Sequence, residues 1–286
     1  MTKIYELNAF TDGSPNSGNK AGVCFINSAE EYSTERMQSI AYQLNYSETV
    51  FVVRMSSNKF NLIYFTPLGE VDICGHATIA AFRCLELTKR INDGSYFIQT
   101  KAGVFHVALK KGTIMMEQKL PEYYDLLSTE KEIVDSLGIS QKELSGTMPI
   151  TLLSTGLKDI FIPLKDKEIL FHSLKPDFSK ITKISKANSC IGYHLFAVDS
   201  VDEKHDAYTR NFAPLYGINE ECATGSSSGA LACYLFKNGL VKDTYHFKQG
   251  GTGPSGIIKS EIESKQNKID KVYVGGRAEL AKVIEI

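Results

Sequence analysis

The chain lacks the features that would send it to a membrane, a nucleic acid or an oxidising compartment. No apolar run approaches the roughly 20 residues that a bilayer span requires, and Met1-Thr2-Lys3-Ile4-Tyr5 carries neither the hydrophobic region nor the cleavage site of a secretory signal. A cytoplasmic location is the expectation. Basic side chains number 32 against 33 acidic ones, and neither sign forms a long block, so neither nucleic acid nor an anionic membrane is an expected partner. Six cysteines (24, 74, 84, 190, 222 and 233) include no CxxC pair, which argues against a disulfide scaffold and a zinc ribbon. No metal is expected, and most of the thiols read as reduced, buried fillers. What remains is a chain of 286 residues, 43% hydrophobic, long enough for one large core or two ordinary ones. Work on a small molecule is the default expectation.

What the chain does have is an internal echo. Phe65-Thr66-Pro67-Leu68 leads to Cys74 nine positions after its Phe, and Phe212-Ala213-Pro214-Leu215 leads to Cys222 ten positions after its own. Each cysteine precedes small residues suited to a buried helix, Gly75 to Ala81 in one copy and Ala223 to Ala230 in the other. Half a chain between copies is too long for a solenoid and suits two like domains. Two such halves packed face to face would bring two helix N-termini to one cleft, a setting for proton chemistry on a small anion.

Between these landmarks short alternating stretches dominate. Thr100 to Gln118 alternates around a Lys111-Gly112 turn, Ile257 to Glu263 does the same, and Lys271 to Val274 reads as a short strand ending in Gly275-Gly276. Helical spacing occupies 34–44, 78–90, 129–137 and 227–238, with Gly138 and Gly239 as stops. The second and fourth of these helices are apolar nearly all round, so strands should wrap them. The expected class is therefore α+β, two similar domains, each a strongly curved, mostly antiparallel sheet around a central helix, with the active site between them. Pro121-Glu122-Tyr123-Tyr124 breaks the pattern, and the expected division is 1–117 plus about 275–286 against 118–274.

Phe10-Thr11-Asp12 with Gly18-Asn19, Asn45-Tyr46-Ser47-Glu48-Thr49, Cys74-Gly75-His76-Ala77-Thr78, Thr224-Gly225-Ser226 and Val274-Gly275-Gly276 follow one another as in PhzF-type, phenazine-biosynthesis-like isomerases. The chain resembles that family over nearly its whole length. The resemblance implies the fold shared with diaminopimelate epimerase and proline racemase, a homodimer, and an isomerase that needs no cofactor. It makes Glu48 the proton shuttle, with Gly75, His76, Glu221, Gly225 and Ser226 around a small anionic metabolite. The physical case for Glu48 is that a carboxyl group in a closed apolar cleft has its charged form disfavoured, so its pKa should rise toward neutrality. Read from its neighbours alone, Glu48 is a solvated residue between a helix end and the strand Val50 to Val53, and it is the resemblance that makes it the shuttle.

One departure from the family pattern opens a second mechanism. Glu221-Cys222-Ala223 stands where the family commonly has Asp followed by Pro or Ala, and Cys74 and Cys222 then read as matches to the two catalytic thiols of diaminopimelate epimerase. Such a pair would invert a carbon by removing a proton on one face and delivering one on the other, with a helix N-terminus lowering the thiol pKa. Two further classes stay open. Gly225-Ser226-Ser227-Ser228-Gly229, followed by Asp243 and His246, fits the order of a serine hydrolase with Ser227 as nucleophile. A non-catalytic small-molecule binding protein is the other. Gln249 to Gly256 reads either as a donor-rich loop that closes over a ligand or as a plain turn.

Overall fold

A computed structural model describes residues 2–14, 17–198, 204–251 and 253–286. Two compact units divide the chain: Met1–Glu117 with Gly275–Ile286, and Gln118–Val274.

In the first unit the strand Lys3–Ala9 lies antiparallel between Ala278–Glu285 and Asn19–Ile26. The strand Glu48–Arg54 then joins Asn19–Ile26 in parallel, and a parallel neighbour requires a crossover. Helix α1 (Thr34–Leu44) supplies it. Ser33 caps α1 through its side chain, and Asn45 ends it in the left-handed region at φ 49°. Lys59–Phe65 returns antiparallel, Glu70–Val71 pairs with its end, and helix α2 (Gly75–Leu87) crosses to Gly94–Thr100, parallel to Lys59–Phe65. Antiparallel Gly103–Lys110 and Thr113–Gln118 follow, joined through Lys111 and Gly112, both at positive φ as a two-residue hairpin turn demands.

The second unit repeats this order of signs. Lys158–Pro163 runs parallel to Gly192–Val198, which is antiparallel to Ala207–Ala213. Ala207–Ala213 in turn pairs antiparallel with Ile218–Glu221 and parallel with Thr244–Gln249, and Gly256–Lys265 closes antiparallel on the latter. This unit adds helix α3 (Glu130–Leu137), with a complete capping box at Thr129 and Gly138 as its left-handed stop at φ 67°. Helix α4 (Phe178–Ala187), capped by Asp177, makes the crossover that α1 makes in the first unit, and helix α5 (Gly225–Lys237) occupies the place of α2.

Because α2 and α5 are wrapped, their sequences carry no polar face. Nine of the 13 residues of α2 and ten of the 13 of α5 are buried. Helix α2 packs on Lys3–Ala9, Asn19–Ile26, Glu48–Arg54 and Ala278–Glu285, and α5 packs on Thr151–Ser154, Lys158–Pro163 and Gly256–Lys265. Alternation splits the strand at 158–163 between two cores. Phe161 faces α5 with Tyr234 and Phe196, while Ile160 and Ile162 face α3 and α4. The class is α+β, mostly strand, as the sequence leads one to expect. Sequence spacing missed α4, whose Lys- and Ser-rich surface dilutes the apolar positions Phe178, Ile181 and Ile184.

Candidate active site

The first unit assembles three of the expected residues. Glu48 opens its strand directly after the left-handed turn at Asn45, in register with Ala21. Cys74 is the N-cap of α2 with extended backbone, and His76 lies in the first turn of that helix. Thr78 fixes this turn by donating from its N–H (3.1 Å) and its Oγ1 (2.7 Å) to the Cys74 carbonyl. Tyr64 holds Thr78 from the sheet, the two hydroxyls lying 2.7 Å apart.

Sheet register and helix start together place Glu48 Oε2 at 2.9 Å from His76 Nε2, with side chains 19% and 9% exposed. The contact lies off the line of an N–H, so Oε2 has proximity to the imidazole without an aligned donor. Ser47 Oγ is 3.1 Å from the same nitrogen and donates to the Lys20 carbonyl, while His76 Nδ1 is 3.4 Å from Cys74 Sγ.

These contacts reverse two expectations about charge. Burial pushes the Glu48 carboxyl up, but the His76 charge, aided by Ser47, outweighs it and holds Glu48 below its ordinary value. Burial pulls His76 down, yet the facing Cys74 and Glu48 lift it well above its ordinary value. Glu48 is therefore not poised near neutrality as a lone buried acid would be. It is a carboxylate paired with an imidazolium. Cys74 is also not activated by its helix end, because burial, reinforced by the Glu48 charge, raises its pKa.

In the second unit the N-cap of α5 is Thr224. Its N–H donates to Gln249 Oε1 (3.0 Å), Gln249 Nε2 donates to Thr224 Oγ1 (2.8 Å) and to the Glu221 carbonyl (2.9 Å), and Thr224 Oγ1 donates to Glu221 Oε2 (2.8 Å). Gln249 is fully buried. It belongs to this cap and not to a closing loop, and Thr252 of the expected loop lies outside the described residues. Gly225 and Ser226 form the first turn of α5, and the Ser226 carbonyl accepts from Thr155 Oγ1 at 3.0 Å.

Aligned on their caps, α2 and α5 match Cys74 with Thr224 and not with Cys222. In each copy the strand end, Val71 or Glu221, is followed by one bend residue, Asp72 or Cys222, two residues ahead of the cap. The second copy spends its extra residues on a 3-10 turn, Pro214–Tyr216, which is why the spacing from Phe212 misled. The repeat therefore does not supply two equivalent thiols. All six cysteines are unbridged, and all but half-buried Cys222 are buried.

The hydrolase pattern also dissolves. Ser227 is fully buried in the first turn of α5, and its Oγ donates to Asp159, not to His246. His246 lies on the strand Thr244–Gln249 and donates its backbone N–H to Asp206.

Asp159 is a functional candidate that sequence reading missed. It is the second residue of the strand Lys158–Pro163 and is buried with His194 and Asn211, Asn211 Nδ2 lying 3.4 Å from Asp159 Oδ2 and 3.2 Å from His194 Nδ1. Burial raises Asp159 to about 7 against the hydrogen bonds from Ser227 and Asn211, and burial takes His194 down to about 3. Its only signal in the sequence is an acid at the mouth of an apolar strand, which is a common surface pattern.

Residues 7–283 match the family described as phenazine biosynthesis-like protein, PhzC-PhzF. The chain belongs to this family. An uncharacterized isomerase of Clostridium acetobutylicum is 33% identical over 96% of this chain and 94% of its own length. The crystal structure of the Bacillus anthracis PhzF-family protein superposes with a TM-score of 0.87 at 26% identity, covering 100% of this chain and 98% of that one. A hydroxyproline epimerase of Agrobacterium vitis, 11% identical, shares the fold with a TM-score of 0.59 over 99% of this chain and 91% of its own. Among the described residues, no helix is long and apolar enough to cross a membrane.

Proposed function

We propose that this PhzF-family protein is an isomerase that moves a proton on a small carboxylate-bearing substrate, needs no cofactor, and uses Glu48 as its acid and base. The observation that carries the reading is the Glu48–His76 pair at the start of α2. The family's curated relative in Clostridium acetobutylicum bears the name isomerase, which supports the reaction class.

The carboxylate supplies a base that is already ionised, and His76 supplies a cation that a substrate oxygen can take over. As that oxygen accepts from His76, negative charge developing on the substrate competes with Glu48 for the imidazolium. Glu48 then becomes more basic at the moment it is needed. The proton passes from the acidic carbon to Glu48, the electron pair shifts along the conjugated system, and Glu48 returns the proton to the new carbanionic carbon. One group suffices when both carbons present the same face. The first-turn amides of Gly75 and His76 are the natural holders of the substrate carboxylate.

The test is hydrogen exchange in heavy water with a panel of unsaturated and α-amino carboxylates, followed by proton NMR. Wild type should exchange a carbon-bound hydrogen of at least one compound, and Glu48→Gln should not. Exchange by Glu48→Gln at the wild-type rate refutes Glu48 as the base. Cys74→Ser and Cys222→Ser should each retain exchange, and loss in both would restore inversion by two thiols.

A further inference from the structure

Among the described residues, one group of side chains offers carboxylate, thiol and imidazole donors that all lie within 4.8 Å of one another: Glu48, Cys74 and His76. We propose that these three residues form a binding site for a borderline-soft divalent transition metal, Zn2+ foremost, and that the ion, once bound, occupies the position of the proton that the cluster handles.

The three donor atoms lie within reach of one ion. Tetrahedral zinc with ordinary bond lengths sets sulfur and imidazole nitrogen about 3.6 Å apart, and nitrogen and carboxylate oxygen about 3.3 Å apart. Here Cys74 Sγ is 3.8 Å from His76 Nε2, and Glu48 Oε2 is 2.9 Å from that nitrogen. Cys74 Sγ is also 3.4 Å from His76 Nδ1, so the sulfur lies beside the ring and not beyond Nε2, and the imidazole has to turn about its side-chain torsions to aim a ring nitrogen at an ion held between sulfur and carboxylate. Coordination replaces the Glu48–His76 ion pair, in which Oε2 has no aligned hydrogen-bond donor, by bonds from both groups to the ion. The ligands also sit on rigid supports, one on a strand and two at the start of a helix whose first turn is tied down by Thr78 and Tyr64.

The donor set selects the ion. Thiolate and imidazole favour zinc and its neighbours over magnesium and calcium, which take oxygen. Three protein ligands leave a fourth position for water or a substrate oxygen, as in open zinc sites. On binding, the Cys74 thiol and the His76 imidazolium each release a proton to solvent, Glu48 binds as the carboxylate, and no redox partner is involved. Cysteine spacing hides the site, because its ligands come from positions 48, 74 and 76 and not from a CxxC.

That the ion blocks proton transfer rests on the function proposed above, whereas binding itself does not, so the decisive readout avoids turnover. Cobalt(II) chloride is titrated into the purified full-length protein. Wild type should take up one equivalent, developing thiolate-to-cobalt charge-transfer absorption and the visible bands of four-coordinate cobalt, both removed by Zn2+. Cys74→Ser should lose the charge-transfer band with unchanged circular dichroism, and His76→Gln should weaken uptake by at least roughly tenfold. If Cys74→Ser does not fold, His76→Gln and Glu48→Gln carry the test through the visible bands. Folded wild type that gives no charge-transfer band overturns the proposal, as does a band that survives Cys74→Ser or vanishes in Cys222→Ser. Cobalt uptake without any isomerase activity would leave the site standing and refute only the functional reading.

Discussion

Replacing Glu48 by Gln keeps the shape of the side chain and removes the charge that faces His76. Two unit charges about 4 Å apart interact by about 4 kcal/mol at an effective dielectric constant near 20. That corresponds to about three pH units. Glu48 is 19% exposed, so screening trims this figure, and the direction expected for the His76 pKa in the variant is downward. Burial pulls His76 down and Cys74 remains beside it, so the variant's imidazole should titrate below the wild type's, which lies well above its ordinary value. Proton NMR of the histidine ring signals across pH 4 to 10 measures this, with His76 identified by its absence in His76→Gln. The sign for stability follows from linkage. Glu48, depressed when folded, contributes stability above the ordinary carboxylate value of 4.5 that is lost as pH falls through its folded pKa. His76, raised when folded, contributes stability below 6.5 that is lost as pH rises through its folded pKa. The penalty of Glu48→Gln should therefore be largest between those two ordinary values and shrink on either side. A His76 pKa that moves by less than about half a unit refutes the ion-pair account, because the residual shift would then belong to burial and Cys74.

Asp159 lies at about 7 when folded against an ordinary 3.8, so it binds a proton in the folded protein over a window where the unfolded chain has lost it. Stability should fall by about 3 kcal/mol as pH rises from 4 to 7 on account of this group, and Asp159→Asn should remove that slope in urea unfolding; an unchanged slope contradicts the burial assigned to it. Gln249→Leu strips three hydrogen bonds from the cap of α5 and leaves their half-buried partners without them, a loss of about 3 kcal/mol, and a value under about 1 kcal/mol means the cap is held by other groups. Gly192→Ala would set a Cβ 1.8 Å from the Phe212 carbonyl oxygen of the adjacent strand. Overpacking of that kind should cost at least about 3 kcal/mol by denaturant midpoint, and wild-type stability would show that these strands can separate freely.

Much of the architecture is legible in the chain because its signals are local. The span of α1 follows from apolar spacing between Ser33 and Asn45, and the stop of α3 follows from Gly138, the residue type that takes a left-handed turn at least cost. Helices without a polar face announce a surrounding sheet, and α2 and α5 have one. The site was legible only as a set of names. Glu48, Cys74 and His76 were all singled out, but their charge states were not, since a carboxyl group takes its pKa from whatever stands across from it.

The comparison of the two copies shows where sequence stops. By strand register Glu48 faces Ala21 in one unit, and Gly192 faces Asp159 in the other. Since Thr49 pairs with Phe65 as Tyr193 pairs with Phe212, these are equivalent places. The buried acid has changed strands between copies. Motif spacing instead joined Cys74 to Cys222, because counting along the chain is blind to an inserted 3-10 turn that pairing through space corrects. The chain by itself determined which segments become helix or strand and that the plan occurs twice, since those depend on near neighbours. Only the tertiary structure decided that Glu48 is a carboxylate held by His76, that Thr224 and not Cys222 caps α5, and that Asp159 is shut from water. Each of those depends on fields and contacts between residues that only strand pairing and helix docking bring together.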